Sequence, residues 1–540
     1  MTGDLDRRAF VLGFVAAALG GVMRPGPAAA TSAAIPDQPW AKWDKSQKPV
    51  RGGILRIAAE QYVGKMNPHH WPVNDWVSLT YIYDRLMYTD GQYKPTVAFL
   101  AEEVRLEDPQ TVVMRLRPGV TFHDGSKFDA AAVKWQIDWI RDPKNQAWDY
   151  GWLAPLQAVE AVDELTLRWT FKTPWAAFNG VMANVPGYML SAAALKADPE
   201  KFDSQPVGSG PFMLEEASSD NFLKLKRNPN WWFAKASGNP DMPYFDGIHI
   251  SVVPDPAVRL ANLRAGKIDS LTLDKPQFAA LKGDPNFNIY RFPQNWVVGM
   301  RFNCTKGAFQ DIRLRKAVSH AIDRKALVVG TQFGLGREAS CMFPSDHWCH
   351  NPELKPVAYD PALSKKLLAE AGHGSGLKVK GYWINTAMGQ TVAEAIKSML
   401  AKVGITWEVE LLSAAARAQR MKDLDYELAL GGWTWIYDPD LMPTGLYHPD
   451  GGFNFGRSKN DAAIALIEAG RREVDDEKRR AIYWKLEKVL YDSYEDVWLW
   501  WEEAVIAYNK KVMGWDHENF LKWREVWFWS HPLWFKDGKA

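Results

Sequence analysis

Three places in the chain set histidine beside groups that could make it reactive. His123 stands next to Asp124, His69 next to His70, and His347 and His350 flank Cys349. A His–Asp neighbour pair suggests a proton relay, and closely spaced His and Cys suggest a metal. Neither chemistry survives the spacing. Successive side chains of an extended chain point to opposite faces, so His123 and Asp124 cannot readily form a relay. The group around Cys349 could approach a metal only in a tightly folded loop, and it lacks a further well-spaced ligand. The chain has no H-E-x-x-H, no G-x-S-x-G and no glycine-rich phosphate loop. Carboxylate pairs suited to hydrolysis are too common among 64 acidic residues to select anything. No catalytic residue, metal site or cofactor is expected.

The densest chemistry is of another kind. The stretch "GGWTWIYDPD" at 431–440 holds Trp433, Trp435 and Tyr437 with Asp438 and Asp440. It follows "LDYELAL", whose apolar residues suit a strand running inward. The segment is too apolar for an ordinary surface loop, and Gly431, Gly432 and Pro439 break it too often for a regular core element. Its rings offer flat faces for a ring, a sugar or an apolar side chain. The other reading is that some of them pack beneath the loop.

The protein that carries this segment is large. At 540 residues and 61.1 kDa it exceeds a single hydrophobic core, which implies two or three lobes. Its formal charge is +1 with no long basic run, which argues against nucleic acid as a partner. The run "RREVDDEKRR" at 471–480 alternates in sign and reads as a solvated helix face. At the start, Arg7 and Arg8 precede the apolar "AFVLGFVAAALGGVM" and the small residues of "GPAAATSA". That pattern reads as a Tat-type signal peptide over 1–33, with the mature chain beginning near Thr31 to Ala34. No other stretch is apolar enough for a transmembrane helix, so a soluble exported protein without direct membrane insertion is expected. There are three cysteines, and none falls at the cleavage region. Cys341 and Cys349 bracket a loop short enough to close with a disulfide in an oxidising compartment, with free buried thiols as the alternative. Cys304 reads as a free buried thiol.

Strands and helices alternate along the chain. "GGILRIAAE" is the first clear strand, and "QTVVMRLRPGVTF" alternates like another. "DAAAVKWQIDWIRD" opens with an Asp that can cap a helix. "DIRLRKAVSHAIDRKALVVG" reads as one long helix, "SKKLLAEAG" as a helix closed by Gly372, and "LKVKGYWIN" and "ITWEVELL" as strands around the helix "QTVAEAIKSMLAKVG". Interleaving of this kind means an α/β architecture layered on a sheet.

Taken in order, these segments resemble the extracellular solute-binding proteins of family 5, the receptors of peptide-, opine- and nickel-type ABC importers. The likeness rests on six collinear stretches. They include "AEEVRLEDPQTVVMRLRPGVTFHDGSKFDAAAVKW", "VGSGPFMLEE" with "LKLKRNPNWW", "RLANLRAGKIDSL" and "RFNCTKGAFQDIRLRKAVSHAIDRKALV". The resemblance implies a two-lobed periplasmic-binding-protein fold (Venus-flytrap, type II or cluster C) with an extra subdomain. The first lobe would span 45–293, with the subdomain at about 76–207, and be completed by 505–540; the second would span 294–504. It makes the "HDG" stretch a structural turn in which Gly125 supplies a backbone angle that other residues dislike. It also implies a monomeric periplasmic receptor, with an inner-membrane ABC permease as partner and a small solute as ligand.

In peptide-binding members of that family, the segment matching "GGWTWIYDPD" carries an Asp that pairs with the ligand's α-amino group. Here that position falls on Trp435 or Ile436, and Asp438 matches the later acid beside the proline. The departure points to a ligand held more by stacking and hydrogen bonds. The expected ligand-facing residues are Trp433, Trp435, Tyr437 and Asp438. To these are added Glu60, Gln61 and Tyr62 at the end of the first strand, Trp296 at a crossover, Trp383 and Asn385 at a second-lobe strand end, and Arg417 as a carboxylate partner. The competing classes are an exported carboxylate-dependent glycoside hydrolase and a holdase or adhesin.

Overall fold

The computed structural model describes residues 48–434, 436–515 and 532–539. The expected signal peptide, Trp435 and most of the aromatic tail lie outside them. The architecture is α/β and two-lobed, and a single nine-stranded sheet runs through both lobes.

The strand Ile54–Ala59 pairs in parallel with Gly247–Val252, from Ile54 opposite Gly247 to Ala59 opposite Val252. Its other neighbour is Ser270–Thr272. Parallel neighbours need a long crossover, and the intervening chain supplies it. The link to the second lobe is made by two long antiparallel strands, Phe287–Phe302 and Asp496–Asn509. Beyond them lies Leu428–Trp433, the strand expected from "LDYELAL".

The ladder between the long strands is broken at one place. Pro293 faces Glu503, but the next registered pair is Val297 with Trp501. Gln294, Asn295 and Trp296 therefore share the space of one residue on the partner strand. Proline cannot donate to a ladder, and a bulge turns the side chains beside it out of the regular pleat.

A separate antiparallel sheet is ordered Ala101–Asp108, Thr111–Leu116, Thr166–Phe171, Leu156–Ala161. The helix Ala130–Arg141 packs on it through Val133, Ile137 and Ile140. Asp129 caps that helix as its sequence position suggests, accepting the Ala132 N–H at 2.8 Å. In the second lobe, Leu377–Ile384 and Ile405–Leu412 pair in parallel around the helix Ala387–Ala401. Gly372 closes the helix Pro361–Glu370 at φ +86°.

Two expectations need correction. The long helix read from "DIRLRKAVSHAIDRKALVVG" is two, Ile312–His320 and Arg324–Gln332. Asp323 ends the run by capping the second, with the Ala326 N–H at 2.9 Å. The run "RREVDDEKRR" is not one solvated face either. Arg471 and Arg472 end the helix Asp461–Arg472, Asp475 caps Asp476–Ser493, and Arg479 is buried.

The lobes also touch outside the sheet, along a seam of several contacts. The Ala176 N–H donates to the Arg471 carbonyl at 2.9 Å and the Trp348 N–H to the Gln92 carbonyl at 3.1 Å. Tyr93, fully buried, stacks on His347 with ring centroids 5.6 Å apart. Lys94 pairs with Asp476 at 2.5 Å. Gly180 lies so close to Asp438 that a β-carbon there would sit 2.3 Å from the Asp438 Cβ.

Candidate ligand-binding cleft

The bulge in the crossover strand builds one wall of a cavity of about 460 Å³. Asn295 and Trp296 reach it from the bulge, and Thr434 and Tyr437 from the loop after Leu428–Trp433. Facing them are Trp76, Arg85, Asn184 and Tyr188 from the first lobe. The Asn295 amide donates to the Tyr437 hydroxyl at 2.8 Å, which ties the bulge to the aromatic loop. Trp296 stays 38% exposed, a large ring left accessible beside a concave site. A second cavity of about 280 Å³ adjoins the first, and Glu60 and Gln61 at the end of Ile54–Ala59 help line it. Asp75, Val77, Thr272 and Phe292 line both.

Asp75 is the N-cap of the helix Trp76–Ile82. Its carboxylate accepts the Val77 N–H at 2.9 Å and the Ser78 hydroxyl at 2.6 Å. Burial pushes its pKa above the ordinary range, against the pull of those donors. Arg85 is buried and donates to the Ala183 carbonyl at 2.9 Å and the Tyr188 hydroxyl at 2.5 Å. Its guanidinium sits 4.3 Å from the centre of the Tyr188 ring. Asn184 is buried, and its side-chain oxygen accepts the Val185 N–H at 2.9 Å.

Of the residues expected to face a ligand, Trp296 and Tyr437 line the larger cavity, and Glu60 and Gln61 the smaller. Tyr62 lines neither; its carbonyl accepts from Asn74 and its ring packs on the first-lobe core. Trp433 lies edge-on to Phe453 at 4.4 Å and joins the core beneath the loop. Trp435 falls outside the described residues.

The remaining expectations are corrected by burial or distance from the cleft. Asp438 is fully buried and gripped by Arg479 through two bonds of 2.8 and 2.6 Å, so it cannot meet a ligand. Burial pushes its carboxyl upward, and the guanidinium pulls it back. Trp383 is buried edge-on to Trp407, filling the layer between strand and helix. Asn385 is exposed and takes a hydrogen bond from Gln390. Arg417 is half-buried near the Tyr382 phenol and lines neither cavity.

His69, His70, His123 and His347 are engaged in structure, and His350 lies 3.6 Å from the Glu487 carboxyl. His123 accepts from the Gly208 N–H and donates to the Gly210 carbonyl, and burial lowers its pKa to about 4, so the ring stays neutral. Asp124 instead holds Ser126 and Ser191, and Gly125 turns at φ +80°. His69 contacts Asp149 at 3.0 Å, and His70 contacts Asp203 at 2.7 Å. His347 bonds the Ile436 carbonyl and the Cys349 N–H, which props the aromatic loop from below.

The expected Cys341–Cys349 disulfide is absent: all three cysteines are free thiols. The loop between Cys341 and Cys349 closes around the Glu487 carboxylate instead, which accepts the Phe343 N–H at 3.2 Å and, just past the loop, the Asn351 N–H at 2.6 Å. The Cys341 thiol points to the Glu487 carbonyl at 3.6 Å.

Asp75, Arg85, Asn184 and Asn295 were not singled out from sequence. "ND" ahead of "WVSLTYI" does mark a cap, but a cap pattern does not reveal that the carboxylate also faces a cavity. An Arg within the apolar run "LTYIYDRLMY" was the readable signal for Arg85, since a buried cation needs a purpose.

The sequence profile described as bacterial extracellular solute-binding proteins, family 5 Middle, matches residues 96–454. The chain is similar to the glutathione-binding protein GsiB of Shigella dysenteriae serotype 1 (strain Sd197), at 27% identity over 431 residues, covering 77% of this chain and 82% of that protein. In fold it resembles the periplasmic binding protein DppA of Helicobacter pylori in complex with peptide STSA. There the TM-score is 0.77 at 24% identity, covering 91% of this chain and 99% of that one. The ABC transporter substrate-binding protein CtaP of Listeria monocytogenes gives a TM-score of 0.78 at 22% identity, covering 90% and 100%.

Proposed function

The chain belongs to the bacterial extracellular solute-binding proteins of family 5, and from that membership we propose that its ligand is a small peptide-like or opine-like solute. The solute sits between the lobes in the cavity of about 460 Å³, faced by Trp296 and Tyr437. The protein is a non-catalytic receptor of an ABC importer and hands the solute to its permease. One observation carries the ligand reading. The register break after Pro293 sets an exposed tryptophan and an amide against the aromatic loop, opposite a polar first-lobe wall. A wall with one flat apolar face and one hydrogen-bonding face suits a solute with both characters.

The relatives support a peptide-like ligand: one is named for glutathione, and another was solved with the peptide STSA. The same reading includes Tat export through 1–33, a first lobe of 45–293 completed by 505–540, and a second of 294–504. Glu60 and Gln61 would hold a ligand extension into the smaller cavity. Family membership sets the hydrolase reading aside.

Native mass spectrometry of the protein taken gently from its own periplasm tests this. A defined extra mass that disappears on denaturation, and is not recovered by a Thr434→Arg variant that fills the cavity, is the expected result. The reading fails if Thr434→Arg retains the same mass. It also fails if the protein is bare and no peptide, opine or glutathione raises its Tm.

A further inference from the structure

Resting on that cleft reading, we propose that the ligand is an ammonium compound whose charge is anchored by Asp75 of the first lobe. The second lobe closes over it without a charge of its own. Among the described residues, every side chain that lines the larger cavity from the crossover bulge or the second lobe is neutral, including Gln294, Asn295, Trp296, Thr434 and Tyr437. The second-lobe acid that might have done the work, Asp438, is consumed by Arg479. Among the described residues, the charged ones lining this cavity are Asp75 and Arg85, both from the first lobe.

Asp75 has the properties of an anchor. Its carboxylate accepts from the Val77 N–H and from both the hydroxyl and the N–H of Ser78, all neutral donors, and it enters no ion pair among the described residues. A carboxylate has room for about four donors, so this one, which lines the cavity, has room for one more. Holding an uncompensated charge in a partly desolvated place is costly, and a ligand cation removes that cost. Burial raises the pKa of this group, and an ammonium beside the carboxylate would draw it back down.

A second, independent observation lies across the same cavity. Asn184 is 1% exposed, and its side-chain Nδ2 has no hydrogen-bond partner among the described residues. A buried amide N–H without an acceptor is uncommon in a native protein and calls for a group that the bare chain does not supply. A ligand carbonyl or carboxylate would satisfy it. The ligand would thus offer an ammonium to Asp75 and an acceptor to Asn184, and lay its apolar part on Trp296 and Tyr437.

The test uses Asp75→Asn and Asp75→Ser in the full mature chain. Both residues are good N-caps, so the helix start survives while the charge is lost. Calorimetric titration would use glutathione and alanyl-phenylalanine, each beside its N-acetylated form. The expected result is that wild type prefers the free amines by about 10- to 100-fold, the range for a hydrogen-bonded ion pair. Both variants, with unchanged Tm, should lose that preference. Asn184→Ala should weaken free and acetylated probes alike. The proposal is overturned if acetylated probes bind wild type equally well, if the variants keep the preference, or if neither probe pair binds while a neutral or purely anionic solute does. Thr434→Arg separates the two levels: ligand binding that it abolishes but Asp75→Asn leaves unchanged would keep the cleft and remove the anchor.

Discussion

Replacing Arg479 by Met tests whether Asp438 is a structural residue or a binding one. In the native protein the two form a bidentate pair with side chains 4% and 0% exposed, and Arg479 also donates to the Gly470 carbonyl at 2.9 Å. Removing the guanidinium leaves a buried carboxylate whose remaining described donor is the Asp440 N–H at 2.8 Å. Breaking one partner of such a pair costs about 3–5 kcal/mol. Burial already pushes the Asp438 pKa upward, and without Arg479 only the Asp440 N–H opposes that push. A folded pKa above the unfolded one makes the stability of the protonated form complete below the unfolded value and lost as pH rises through the folded value. The Arg479→Met defect should therefore be largest near neutrality and shrink toward pH 4. Asp438→Asn keeps the shape beside Gly180 but strands the cation. Combined with Arg479→Met it should cost about 2–3 kcal/mol less than the two single losses added. Urea unfolding followed by tryptophan fluorescence, at neutral and acid pH, reads all four corners of the cycle. Additivity within about 0.5 kcal/mol, or a defect indifferent to pH, would refute a desolvated pair.

Three further outcomes follow from the same geometry. Trp296→Ala removes the exposed ring of the cleft without emptying a core, and should weaken ligand binding about 10- to 30-fold at nearly constant Tm, as read by calorimetry. Burial pushes the Glu487 carboxyl up to about 8 against the donors of its loop, so stability tied to its proton is whole below about pH 4.5 and lost through pH 8. Glu487→Gln should flatten that slope in melts taken from pH 5 to 8.5; a parallel pair of curves would sink the assignment. Cys341 and Cys349 should resist a thiol reagent in the native protein, and the denatured, unreduced chain should take three labels. A single label would restore the disulfide.

The elements were readable because local chemistry and tertiary demand agree there. Asp129 caps and Gly372 terminates where the pattern says, and the six family stretches fall in order. The site was readable in part: of the residues expected to face a ligand, Trp296 in the bulge and Tyr437 in the aromatic loop line the larger cavity, and Glu60 and Gln61 at a strand end the smaller. Trp383 and Trp433 have the same composition signal, but tertiary packing against Trp407 and Phe453 claims them. Arg479 sits in a run whose alternating charge suggests solvent. Nothing local says that one of its cations must reach Asp438, 41 residues earlier. Asn295 reaches the cleft because a register break turns it there, and register belongs to the pairing of two distant strands, not to either alone.

The seam between the lobes carries a consequence for how affinity is set. Tyr93 on His347, Lys94 on Asp476 and Gly180 on Asp438 all lie away from the cavity lining. If the lobes part to admit ligand, these contacts break and re-form identically whatever the solute. Their strength then multiplies every dissociation constant by one common factor, since ligand binding must draw on the closed population that the seam defines. Gly180→Ala, by forcing that seam apart, would lower the apparent affinity for all solutes in proportion and leave their ranking untouched. Selectivity and gain would thus be written in different residues, and the receptor could be retuned to scarcer or richer surroundings without altering what it recognises.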